Sequence, residues 1–82
     1  MYNTVNELSK DVKDIIDSHW RLETTEEEMI QSISSIFLDV HNRELAFRGN
    51  CFSATFERKL GMKRTILLKE LLSKIDSKKY RF

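Results

Sequence analysis

Apolar residues at helical spacing run through nearly the whole chain, and this pattern decides the fold class before composition does. Val5, Leu8, Val12, Ile15, Ile16 and Trp20 recur about every three to four residues, with Glu7, Lys10, Asp11, Lys13, Asp14 and Asp17 on the other face. Thr4 followed by Glu7 is a capping-box pattern, so a helix is predicted over 5–20. Trp20 lies on its apolar stripe and is expected to anchor the core. Thr24 and Thr25 each precede a glutamate by three residues, which marks a second start. Glu26, Glu27 and Glu28 also complement the positive end of a helix dipole there. Met29, Ile33, Ile36, Phe37 and Val40, widened by Ile30, then predict a helix over 26–46. The connection at 21–23 is short, which makes the two helices antiparallel neighbours.

The chain has no proline, and its two glycines, Gly49 and Gly61, stand where the pattern breaks. Gly49 is placed to close the second helix in a left-handed conformation. Phe47 and Phe52 flank Gly49-Asn50, a pair suited to a hairpin turn. Phe52, Phe56 and Leu60 instead step by four, and that helical reading is preferred over the hairpin. A helix running through Gly61 would lose about 1 kcal/mol relative to alanine. A break there leaves a fourth helix over 63–76 carrying Leu67, Leu68, Leu71, Leu72 and Ile75. The expected architecture is all-α: a compact four-helix domain spanning 1–82, two antiparallel helices followed by a shorter helix and a C-terminal helix. Residues 76–82 are expected to be a frayed basic tail.

At 82 residues the net stability of such a domain is about 4–12 kcal/mol, so nearly every large apolar side chain is needed in the core. That argues against a buried small-molecule cavity. No apolar stretch approaches the roughly 20 residues of a membrane span, and the first residues are too polar for a signal peptide. A single cysteine, Cys51, cannot form an internal disulfide, which fits a reducing cytoplasm. It is expected as a buried or half-buried thiol beside a turn. No nucleophile motif, glycine-rich phosphate loop or isolated carboxylate pair is present, so no enzymatic activity and no cofactor is expected. Two histidines and one cysteine are too few for a structural zinc site, despite the helical spacing of His41 and Glu44. His19 reads as a helix-end residue.

Charge is divided along the chain. Residues 1–50 carry five basic and ten acidic side chains, net −5, and residues 51–82 carry nine basic and three acidic, net +6. Helix dipoles account for the glutamates at a helix start and for Lys74, Lys78 and Lys79 near a helix end. Lys63 and Arg64 do not fit that account, because they fall in the first turn of the last helix. With Arg58 and Lys59 across Gly61, and Lys78, Lys79 and Arg81 in the tail, they form a candidate anion or nucleic-acid contact. A helix-turn-helix reading of 53–72 has Gly61 at its turn, but Glu57 and Glu70 fall where packed residues are wanted. Leu67, Leu68, Leu71, Leu72 and Ile75 make a stripe wide enough to support a partner interface or a homodimer.

The order of landmarks is also familiar. It runs from His19-Trp20 through Thr25-Glu26-Glu27-Glu28, Ile33, Ile36, Asn42, Gly49 and Phe56 to Leu60-Gly61-Met62-Lys63-Arg64. This resembles a functionally uncharacterised family of small proteins of about this length, found mainly in clostridia and related Firmicutes. Met62 departs from the Leu-Gly-Lys-Lys-Arg form of the last motif. The resemblance implies a bacterial accessory protein, associated with phage or mobile elements, rather than a metabolic enzyme. The expected function is macromolecular binding, to another protein or a second copy, with nucleic-acid binding as the alternative and no membrane association.

Overall fold

Four of the five helices among the described residues start at a capping side chain. The computed structural model describes residues 2–49 and 51–75. In it Thr4 Oγ1 accepts from the Glu7 amide at 3.2 Å and opens α1, Val5–Trp20. Thr25 and Glu28 form a complete capping box at the start of α2, Glu26–Leu38. Asp39 caps α3, Val40–Ala46, through the His41 amide at 2.8 Å. Ser53 caps α4, Ala54–Leu60, through the Phe56 amide at 3.2 Å. After Gly61 alone, α5 runs over Met62–Ile75.

The fold is all-α in the main, with two departures from the expected four helices. The helix predicted over 26–46 is two helices, broken at Asp39, whose backbone is extended at φ −79°, ψ 122°. The break diverts the hydrogen-bond ladder, and Asn42 Nδ2 instead donates to the Ile36 carbonyl at 2.9 Å. The second departure is that the hairpin and the helix after it both form. Strands β1, Phe47–Arg48, and β2, Cys51–Phe52, pair antiparallel with Phe47 opposite Phe52. Gly49, at φ 63°, supplies the left-handed residue that the turn needs. Cys51 is exposed on this hairpin, which corrects the expectation of a buried thiol.

The core is a single cluster. Leu8, Val12 and Ile16 of α1 meet Met29, Ile33 and Phe37 of α2, while Phe56, Leu60, Leu68, Leu71 and Leu72 close it from α4 and α5. Phe37, Phe47, Phe52 and Phe56 form a chain of ring contacts with centroids 6.1, 4.8 and 5.1 Å apart, which fastens the hairpin to the helices. Leu68, Leu71 and Leu72 are therefore spent inside the molecule, and Leu67 packs against the cluster half-buried. Of the apolar stripe proposed as a partner interface, only Ile75 is exposed. Trp20 is no core anchor either, since it is 46% exposed at the end of α1. No helix among the described residues is long and apolar enough to cross a membrane.

Candidate interaction surface at the α4–α5 elbow

The four cations around Gly61 separate into two kinds once their side chains are followed. Arg64 turns inward. Its Nε and Nη2 donate to the two carboxylate oxygens of Asp17 at 2.8 and 3.0 Å, and Nη1 donates to the Leu60 carbonyl at 3.0 Å. The guanidinium also lies over the Trp20 ring, 5.6 Å from its centroid. A cation in the first turn of α5 thus has an internal purpose: it closes the C-terminus of α4 and ties α5 to α1. The hydrogen bonds from Arg64 hold the Asp17 carboxyl below the usual carboxylate range against a smaller opposing effect of burial. Lys59 also reaches α1, where its Nζ donates to Asn6 Oδ1 at 3.1 Å.

Arg58 and Lys63 are exposed and point away from the core. Beside them the elbow leaves a shallow groove between α4 and α5, floored by Met62, Thr65 and Ile66 and flanked by Arg58, Glu57 and Lys69. Met62 is 81% exposed and Ile66 53% exposed, four residues apart and so on one face of α5. Glu57 and Lys69 approach to 3.8 Å across the groove. Lys78, Lys79 and Arg81 lie outside the described residues. Gly61 is the whole linker between α4 and α5, where a helix-turn-helix unit has a turn of three or four residues.

Each histidine makes a contact with a backbone carbonyl. His19 Nδ1 bonds the Thr24 carbonyl at 3.2 Å, and His41 Nε2 bonds the Tyr2 carbonyl at 2.8 Å. Among the described residues no group of three His, Cys, Asp or Glu side chains is placed to hold a metal ion. The other feature that spacing did not reveal is the turn after Trp20. Leu22 stands there at φ 63° and is 89% exposed. Arg21 and Glu23 pair beside it at 3.1 Å, which raises the arginine pKa and lowers that of the glutamate.

Residues 1–73 match the model of a family described as a conserved hypothetical protein. The chain belongs to that family. Neither a curated protein nor a solved structure matches the chain. The family match ends within α5 and takes in the whole of the elbow and its groove.

Proposed function

We propose that this family member is a non-enzymatic binding module that docks a protein segment bearing acidic and apolar side chains into the α4–α5 groove. The observation that carries this reading is the pair Met62 and Ile66. They are exposed on one face of α5 although the helix already supplies Leu68, Leu71 and Leu72 to the core. Exposed apolar side chains beside Arg58 and Lys63 have the composition of a docking patch, in which methionine and arginine are favoured. The reading includes an accessory or regulatory role in a bacterial cytoplasm, where the exposed Cys51 thiol would stay reduced. A photo-crosslinking amino acid at position 66, compared with one at exposed position 10 on α1, tests it. Protein adducts specific to position 66 support the reading, and equal yields at the two positions refute it.

Arg58 and Lys63, both exposed near the elbow, favour nucleic acid as the second reading. Arg64 is unsuitable for testing it because its removal would loosen the fold. The pair Arg58→Ala/Lys63→Ala serves instead in a mobility-shift titration at low and moderate salt. Phosphate contact predicts a shift that weakens steeply with salt and is reduced in the double variant. No shift at low salt removes this alternative.

A further inference from the structure

The turn between α1 and α2 holds a leucine where the backbone calls for glycine. After Arg21 the Leu22 amide donates to the His19 carbonyl at 3.0 Å and the Glu23 amide to the Ser18 carbonyl at 2.9 Å, the two bonds of a Schellman motif. Leu22 is the left-handed residue of that motif and, among the described residues, the only one other than glycine with positive φ. L-residues with a branched side chain are disfavoured in this conformation, and glycine or asparagine normally occupies it. The hydrophobic contact that often accompanies the motif is missing, because its two positions are Ser18 and Glu23. At 89% exposure, the strained side chain gains almost no burial within its own molecule.

Resting on the groove reading above, we infer that Leu22 is the knob for the α4–α5 groove of a second copy of this chain. Leu22 would seat on Met62 and Ile66, with Glu26 and Glu27 turned toward Arg58 and Lys63, since Glu23 is already paired with Arg21. Apolar surface meets apolar surface, and acidic side chains meet basic ones, which is the charge division of the sequence realised between two molecules. An isologous arrangement, in which each copy gives its turn and receives its partner's about a two-fold axis, closes as a dimer.

Sedimentation of the full chain over a concentration series, at low and moderate salt, tests the inference. A monomer–dimer equilibrium weakened by salt is expected. Leu22→Gly relieves the backbone, so in solutions dilute enough for both to be monomeric this variant should melt no lower than wild type. Its dimerisation should weaken about 10-fold or more, the effect of withdrawing one buried leucine from an interface. Met62→Glu should weaken dimerisation from the groove side. A wild-type chain that stays monomeric throughout, or association that survives either substitution, overturns the inference. If the chain is monomeric while position 66 still crosslinks to another protein, the second copy is ruled out and the groove reading stands. If both fail, both readings fall.

Discussion

Replacing Arg64 distinguishes a structural cation from one held ready for a ligand. Arg64→Met keeps much of the aliphatic stem but removes three donated hydrogen bonds, two of them to the Asp17 carboxylate, and the contact over Trp20. Bonds to a charged partner contribute about 1.5–3 kcal/mol and an exposed cation–π contact about 0.5–1 kcal/mol. Solvent discounts both, since the Arg64 and Asp17 side chains remain 26% and 21% exposed. A loss of about 2–3 kcal/mol is expected from a total of about 4–12 kcal/mol. For a domain of this size that lowers Tm by roughly 10–20 °C, measured by circular dichroism with urea unfolding as the check. Arg64→Lys should lose more than half as much, because an ammonium keeps the charge but not the two-pronged geometry. A double-mutant cycle with Asp17→Asn should give a coupling of about 1–2 kcal/mol. If Arg64→Met melts within about 3 °C of wild type, well under 1 kcal/mol, Arg64 is not a structural clamp and its guanidinium is again a candidate ligand contact.

Asp17 also sets a pH dependence. Its folded-state pKa is depressed, so its contribution to stability is complete above the ordinary carboxylate pKa and is lost as pH falls through the lowered value. Urea midpoints below about pH 4 should therefore fall less steeply in Asp17→Asn than in wild type. The Tyr2 phenol shows the opposite sign. Burial, aided by its 2.8 Å bond to Asp11, pushes its pKa from 10.0 to about 12. Its contribution is present below pH 10 and is lost as pH rises toward 12. In a Tyr80→Phe background the phenolate absorbance should appear correspondingly late, and at a lower pH in Asp11→Asn; an ordinary tyrosine titration would refute the contact. Gly61 sits at φ 89°, ψ 160°, a region almost reserved for glycine, so Gly61→Ala should lower stability by about 1–3 kcal/mol in urea unfolding. Asn42→Ala should cost about 1–2 kcal/mol by the same assay, because it strands the Ile36 carbonyl at the α2–α3 break.

Local chemistry was legible in the sequence and long-range chemistry was not. Thr4 and Thr25 announced their helices because a cap and its glutamate lie within four residues, and α1 spans the predicted 5–20. The break at Asp39 was hidden by an apolar pattern that runs in the sequence from Ile33 through Val40, although Val40 is exposed after the bend. Its signal was Asp39 itself, a good N-cap residue. At 47–56 the turn and helix patterns were treated as rivals, yet Ser53 lets one follow the other: its amide bonds the Ala46 carbonyl and its hydroxyl caps α4. The functional surface was legible only by region. Spacing drew attention to the cations around Gly61 but could not tell Arg64, which finds its carboxylate 47 positions away, from Arg58 and Lys63. Leu22 drew no notice, because nothing in a leucine's identity shows that its backbone is left-handed.

The Arg64–Trp20 contact gives the molecule an optical reporter of its own. The chain has one tryptophan, and it lies under a guanidinium delivered by the last helix. Its indole emission therefore follows the docking of α5 onto α1 without any label. Stopped-flow refolding watched at this residue would time the joining of the acidic and basic halves separately from the formation of either.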